Sequence, residues 1–280
     1  MMGGTTIGLV HPGEMGSAVG AALRVGGHRV IWASAGRSSA TRARATADGL
    51  EEMTSLGELA DFAPVILSIC PPHAALDVGR EVVALGYRGL FVDANAVAPA
   101  TARELGRHLA AAGARFVDGG IIGPPPRRPG LARLYLSGEG ASSIAELFAT
   151  SPLEAIVLDG PIGAASALKM AYAGWNKASQ ALLMAVRGLA VHEGVDAALL
   201  AEWARSQPEL QRRSEDAVRA STRKAWRFVG EMEEIAVTCA AAGLPAGFHE
   251  AAAEVYRRLA GWKDTPAAPS VGEVAKALAP

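Results

Sequence analysis

The run Thr5-Thr6-Ile7-Gly8-Leu9-Val10-His11-Pro12-Gly13-Glu14-Met15-Gly16, continuing as Ser17-Ala18-Val19-Gly20-Ala21-Ala22-Leu23-Arg24-Val25, decides the fold. Its first part is a short apolar run of the kind that forms a buried strand. Its last part is a helical series of small and apolar residues. Strand, glycine turn and helix in that order open a dinucleotide-binding βαβ unit, whose fingerprint is G-x-G-x-x-G. Gly13 and Gly16 occupy the second and third glycine positions, and His11 occupies the first. Gly13 lets the backbone approach a pyrophosphate, Gly16 lets helix and strand pack closely, and the helix N-terminus offers N–H groups to phosphates. On this reading His11, Pro12, Gly13, Glu14, Met15 and Gly16 surround the cofactor phosphates. The alternative is an ordinary glycine-rich turn.

Further apolar runs at 30–32, 65–70, 90–93, 115–118 and 134–136 alternate with helical patterns at 39–47, 74–85 and 99–112. Strands alternating with helices, each strand a continuous apolar run, predict an α/β fold: a Rossmann-type, doubly wound parallel sheet covered on both faces. Beyond Pro161 the strands stop. Helices are predicted at 166–191, 197–205, 208–220, 226–242 and 248–259, so an all-helical C-terminal domain with one long central helix follows. The boundary falls at Gly160-Pro161, dividing the chain into 1–160 and 161–280. The long helix is apolar on nearly every face and is expected to be buried all round. It offers more apolar surface than a helical domain of that size readily buries, which points to a homodimer through the C-terminal domain.

Composition narrows the function classes. The 280 residues carry 27 basic and 28 acidic side chains, a net charge of -1, which excludes nucleic-acid binding through bulk charge. Half the residues are hydrophobic, so extended disorder is excluded. No apolar stretch reaches membrane-spanning length and no signal peptide opens the chain, so no membrane partner is expected. Cys70 and Cys239 form no disulfide framework, which suggests a reducing, cytoplasmic setting. No His, Cys and Asp cluster has metal-ligand spacing, so no metal is expected.

The second strand ends at Ala33-Ser34, where NAD-specific enzymes place an acidic residue for the ribose hydroxyl. This chain instead reads Ser34-Ala35-Gly36-Arg37-Ser38-Ser39. A guanidinium flanked by hydroxyls suits a 2′-phosphate, so Ser34, Arg37 and Ser38 predict NADP(H) over NAD(H). The alternative is a helix N-cap at Ser38 or Ser39 with a solvated Arg37. Cys70 and Pro71, which close the strand at 65–70, and Asn95 complete the expected cofactor set.

With these motifs on the page, the chain resembles the β-hydroxyacid dehydrogenase and 6-phosphogluconate dehydrogenase superfamily, and within it a phosphogluconate-dehydrogenase-like branch. The resemblance is carried by the glycine loop, by Asp93-Ala94-Asn95-Ala96-Val97-Ala98-Pro99, by Phe116-Val117-Asp118-Gly119-Gly120-Ile121-Ile122-Gly123, by Gly163 with Lys169, and by the stretch Ala225 to Ile235. It implies a hydride-transferring oxidoreductase acting on a small carbonyl or hydroxyl substrate in a cleft between the domains. It makes Lys169 the general acid–base, which gives a proton in reduction and takes one in oxidation. Burial that lowers a lysine pKa toward neutrality would favour that exchange. The alternative is a lysine snorkelling to the surface.

Several positions depart from the superfamily pattern. The substrate-binding Asn four residues after the lysine is Ala173, and Tyr172 or Asn176, on the same helical face, are the expected replacements. The substrate serine position is Ile122, the Ser-Thr pair is Asn95-Ala96, and the late Lys-Asp pair falls on Gly230-Glu231. These changes keep two alternatives open: imine reductase-like C=N reduction, and a non-catalytic NADP(H)-binding regulatory protein. Among the remaining residues, Arg127 and Arg128 read as a solvated loop or an anion site. Trp226 reads as core, Arg227 with Glu231 as a surface ion pair, and His249 as a capped or solvated histidine.

Overall fold

The structure is a computed structural model that describes residues 4–263 and 265–279. Its contacts divide the chain into two compact units, Met1–Lys169 and Met170–Pro280. The division falls inside the long helix and not at Gly160-Pro161, because the first turns of that helix pack on the sheet.

The first unit runs β1 (Thr6–Val10), α1 (Glu14–Val25), β2 (Arg29–Ala33), α2 (Ser39–Ala47), β3 (Glu51–Met53), α3 (Leu56–Phe62), β4 (Val65–Ser68), α4 (Ala75–Ala84), β5 (Leu90–Asp93), α5 (Pro99–Ala111), β6 (Arg115–Ile122), β7 (Arg133–Ser137), α6 (Ala141–Glu146) and β8 (Glu154–Val157). The eight strands form one sheet in the order β3-β2-β1-β4-β5-β6-β7-β8. Strands β1 to β6 are parallel, β7 runs antiparallel to β6, and β8 is parallel to β7. The order reverses between β1 and β4, which is where doubly wound sheets bind ligands.

Alternate side chains feed two separate cores, as strand geometry requires. Ile7, Leu9, Trp32, Leu67, Val92 and Val117 enter one face, while Ile31, Ile66, Phe91 and Phe116 enter the other. On the second face the Phe91 and Phe116 rings stack at 6.4 Å. Both faces are covered, so the strands read as near-continuous apolar runs.

α7 (Ala164–His192) leaves the sheet, and the second unit continues with α8 (Asp196–Ser206), α9 (Leu210–Ser221), α10 (Ala225–Ala241), α11 (Gly247–Arg258) and α12 (Val271–Leu278). Its core contains Met184, Trp203, Phe228, Met232, Ile235 and Tyr256. The Phe228 and Tyr256 rings meet edge-on at 5.2 Å. The buried Arg187 ties three helices together: its Nε and Nη2 donate to Asp196 at 2.7 and 3.0 Å, and its Nη1 donates to Ser214 at 2.8 Å. α12 is opened by a capping box between Ser270 and Glu273.

α7 is not buried all round. Tyr172, Trp175, Leu182 and Leu189 are exposed along one side of it, Trp175 to 69 %. Trp226, expected in the core, is partly exposed under Lys263, whose Nζ lies 4.3 Å from the ring centroid. No helix among the described residues is long and apolar enough to cross a membrane.

Candidate functional site

The C-terminal ends of β1, β2, β4, β5 and β6 gather most of the residues singled out from the sequence. The first is the glycine turn. Gly13 N donates to His11 O at 2.7 Å, and His11 has φ 67°, the positive value that the fingerprint's first glycine serves. A Cβ on Gly16 would lie 2.4 Å from His11 O, so only glycine lets α1 start this close to β1. At Gly13 a Cβ would meet nothing within 4 Å, which leaves open space in front of the α1 N-terminus.

The turn is fixed from behind by side chains the sequence reading did not connect. Arg44 Nη1 of α2 donates to Pro12 O at 3.3 Å. The fully buried Ser17 donates to Asp48 just past α2, and Arg127 of the proline-rich loop grips the same carboxylate through both Nη atoms, one at 2.9 Å. Burial works against the Asp48 charge, and the bonds from Arg127 and Ser17 outweigh it, so its pKa is lowered. Arg127 is therefore engaged with the Asp48 carboxylate while its side chain stays exposed, and Arg128 is exposed too. Glu14 is exposed as well.

Ser38 is the N-cap of α2, accepting from Thr41 N at 3.3 Å. Arg37 is not solvated. It is partly buried, its Nε is buried without a hydrogen-bond partner, and burial lowers its pKa against the opposing charge of Glu81. His11 Nδ1 is likewise buried without a partner. Burial and then the Arg37 charge push the imidazole down to about 4, so it is neutral near pH 7. Ser34 is buried, and its carbonyl accepts from Arg42 at 3.0 Å.

At the ends of β4 and β5 the expected cofactor residues are turned inward. Asn95 is buried; its Oδ1 accepts from Cys70 N at 2.5 Å, and its Nδ2 donates to Ser68 Oγ at 3.3 Å and to Asp93. Both amide protons are thus used in holding the strand ends. Cys70 is a buried free thiol raised to about 12 by burial, so it is not a nucleophile. Pro71 is exposed just after it.

Asp93 and Asp118 face each other across β5 and β6. Asp118 accepts from Ser137 Oγ and Gly163 N at 2.9 Å, from Ser166 N at 3.1 Å and from Ser166 Oγ at 2.5 Å. It therefore caps α7 from a neighbouring strand, a role the sequence alone did not reveal. Asp93 has one bare oxygen, and burial followed by the Asp118 charge raises its pKa to about 7.

Lys169 sits in the second turn of α7, half-buried, with Nζ donating to Ile121 O of β6. A Cβ on Gly120 would lie 3.0 Å from Lys169 Cβ and 2.9 Å from Ala165 O, so glycine there lets the strand touch the helix. Lys169 is thus tethered to the sheet and does not snorkel. Tyr172 is half exposed, and Asn176 Nδ2 donates to Tyr172 O at 3.0 Å.

In the helical unit, Glu231 pairs with Lys177 of α7 and not with Arg227, and Lys177 Nζ lies 4.6 Å over the Phe228 ring. His249 is no cap: its ring packs on Gly174, Nδ1 is buried without a partner, and burial lowers its pKa. No group of three or more His, Cys, Asp or Glu among the described residues is placed to hold a metal.

The residues fit a dinucleotide: open space at Gly13, bare buried nitrogens on His11 and Arg37, and a free helix N-terminus converge on one edge of the sheet. Asp93 yields a direct test. Its pKa rises from about 4 unfolded to about 7 folded, so the stability it contributes is full below about pH 4 and lost as pH rises through 7. Thermal melts from about pH 5 to about pH 8 should show wild type losing several degrees relative to Asp93→Asn. Parallel curves would remove the assignment.

Comparisons with known proteins agree with this geometry. Residues 6–127 match the family described as the NAD binding domain of 6-phosphogluconate dehydrogenase, and residues 190–259 match a domain of unknown function, DUF1932. An uncharacterized 28.5 kDa protein of Methanothermus fervidus is 30% identical over 157 residues, which span 55% of this chain and 59% of that protein. A solved conserved protein of unknown function, noted for its structural similarity with 3-hydroxyacid dehydrogenases, is 26% identical with a TM-score of 0.68, covering 92% of this chain and 97% of that one. The 3-hydroxyisobutyrate dehydrogenase of Mycobacterium tuberculosis shares the fold at 18% identity and a TM-score of 0.74, covering 99% and 100%. The chain thus carries a stretch similar to the NAD binding domain of 6-phosphogluconate dehydrogenase and a helical stretch similar to DUF1932, in a fold shared with the 3-hydroxyacid dehydrogenases.

Proposed function

We propose that the protein is an NADP(H)-dependent oxidoreductase that transfers hydride between the nicotinamide and a small carbonyl or hydroxyl substrate, with Lys169 as general acid–base. The observation that carries this reading is the Lys169 ammonium held by Ile121 O on the same sheet edge as the glycine turn. When bound, the cofactor supplies or accepts the hydride. In reduction Lys169 gives its proton to the oxygen of the carbonyl as hydride reaches the carbon, leaving an alcohol; in oxidation it takes the hydroxyl proton. Ala173 is buried and has no polar group. The substrate contact of the absent asparagine then passes to Tyr172 or Asn176, the neighbouring positions on that helical face.

Arg37 supports NADP(H) over NAD(H). Its partly buried guanidinium sits beside the glycine turn with Nε bare, which suits a 2′-phosphate. Arg37→Ala should weaken NADPH binding about 10- to 100-fold and leave NADH within about twofold. An equal loss for both would remove the 2′-phosphate role.

Turnover is tested by screening small carbonyl compounds and imines for consumption of reduced nicotinamide, then repeating the active cases with Lys169→Met. A loss of about 10²- to 10⁴-fold with NADPH affinity retained supports the acid–base role. Unchanged turnover sinks it, and tight cofactor binding with no turnover on any substrate favours a non-catalytic binding protein.

We further propose a homodimer through the helical unit. Tyr172, Trp175, Ser179, Leu182, Val186 and Leu189 follow the three-four spacing of a helix-packing seam, and four of them are exposed. Beside them lies an apolar groove of about 1170 Å³ lined by Trp175, Leu182, Trp203, Phe248 and Val255. A two-fold axis across α7 would lay this seam against its own copy. Light scattering should give twice the chain mass for wild type and a monomer for Leu182→Glu. A monomeric wild type at micromolar concentration would end the proposal.

A further inference from the structure

His11 departs from the dinucleotide fingerprint in the one place where a side chain is hardest to accommodate. It is the sole non-glycine residue with positive φ among the described residues, at 67°. Such a conformation is unfavourable for a residue with a Cβ, and it persists where the surroundings fix it, most often at functional sites. The backbone needs no histidine there: the turn is closed by Gly13 N on His11 O and by the close approach of Gly16. Glycine would make the same turn without strain.

The imidazole does not serve the protein's own hydrogen bonding either. Its Nδ1 is buried and bare, and so is Nε of the neighbouring Arg37, which comes from the segment between β2 and α2. Buried polar groups in folded proteins are nearly always paired. Two bare nitrogens on separate segments, near enough for the Arg37 charge to act on the imidazole, mark the place of an acceptor that neither segment supplies.

We infer that His11 is a phosphate ligand, forming with Arg37 a two-point clamp on an oxyanion of the bound dinucleotide, and that it gains a proton when that phosphate binds. This rests on the cofactor reading above and adds to it a residue where the fingerprint has none. In the free protein the imidazole is neutral, because burial and the Arg37 charge act against its protonation. A phosphate placed between the two groups offsets the Arg37 charge and accepts a hydrogen bond from the protonated ring nitrogen, so both effects favour imidazolium. One other group near this corner titrates in the same range: Asp93, which acts on Cys70 and is raised to about 7, and which wild type and His11→Gly share. Cys70, following β4, is held up to about 12, and Glu81 of α4 acts on Arg37 by charge alone. Binding must then strengthen as pH falls, because the bound state holds the extra proton.

The oxyanion is either the pyrophosphate, present in both dinucleotides, or the 2′-phosphate of NADP⁺. The test measures affinities of wild type and His11→Gly for NADP⁺ and NAD⁺ between about pH 5.5 and about pH 8, with calorimetry in two buffers of different ionisation heat to count protons. His11→Gly restores the fingerprint glycine at a position that suits it, and a thermal melt verifies its folding. The expected result is that wild type gains about fivefold or more in affinity over His11→Gly toward the acidic end, with proton uptake that the variant lacks. Subtracting the variant removes the phosphate's own ionisation near pH 6. The effect with NADP⁺ alone assigns the clamp to the 2′-phosphate, in agreement with the role of Arg37 proposed above; the effect with both dinucleotides assigns it to the pyrophosphate, which supports the inference and overturns the 2′-phosphate role of Arg37. Equal or tighter binding by His11→Gly at every pH overturns it while leaving the cofactor reading intact. A wild type that binds neither dinucleotide overturns both.

Discussion

The carboxylate of Asp118 is the point on which the arrangement depends. It lies buried in the sheet and accepts hydrogen bonds from Ser137, from both donors of Ser166 and from Gly163 N. Two of these donors are backbone N–H groups at the start of α7 that would otherwise be orphaned. The anion is stabilised by the helix end and the helix end by the anion. Lys169 follows within a turn, so the same contact that starts the helix fixes the distance between its ammonium and the end of β6. Close passage of Gly120 beneath Ala165 makes that distance short enough for Nζ to reach Ile121 O. A neighbouring carboxylate is the other side of this arrangement: Asp93 retains its proton to higher pH because it is buried and, in second place, because Asp118 is already beside it.

The nucleotide-binding edge is organised differently. There the backbone forms the turn, and charged side chains brace it from outside. Ser17, Asp48, Arg44 and Arg127 join α1, α2 and the proline-rich loop into one network behind the glycine turn. The front of the turn is left with nitrogens that nothing in the chain satisfies. Braced at the back and bare at the front is what a preformed ligand site requires, since ordering is completed before the ligand arrives.

Much of this was legible from the residues. The central strands were readable because burial on both faces makes them continuous apolar runs, and the glycine turn was readable because its spacing has a steric cause. The edge strands β3 and β8 were not readable. They are short, Glu51-Glu52-Met53 and Glu154-Ala155-Ile156-Val157, and carry exposed acidic residues that blur any period. The capping box at Ser270 and Glu273 is the local signal from which α12 follows. Lys169 stood out as a charge in an apolar helix, whereas Asp118 looked like part of a strand, because its partners lie 19 to 48 residues away. Asn95 lies at the sheet edge, and nothing in its local sequence shows that Cys70 N and Asp93 claim its amide. Trp226 failed for the converse reason: large aromatic surface predicts burial, but a lysine beyond the helix covers part of the ring.

α7 is one unbroken rod of 29 residues, about 43 Å long, clamped at its first turn. Measured from that clamp, any bending displaces a residue in proportion to its distance along the rod. Lys169 lies only about 5 Å along the axis from Ser166, while His192 lies about 39 Å away. A tilt of about 5° would carry the far end through more than 3 Å and the lysine through less than half an ångström. Bending along the rod therefore displaces the Lys169 ammonium least, because it lies within a turn of the anchored end.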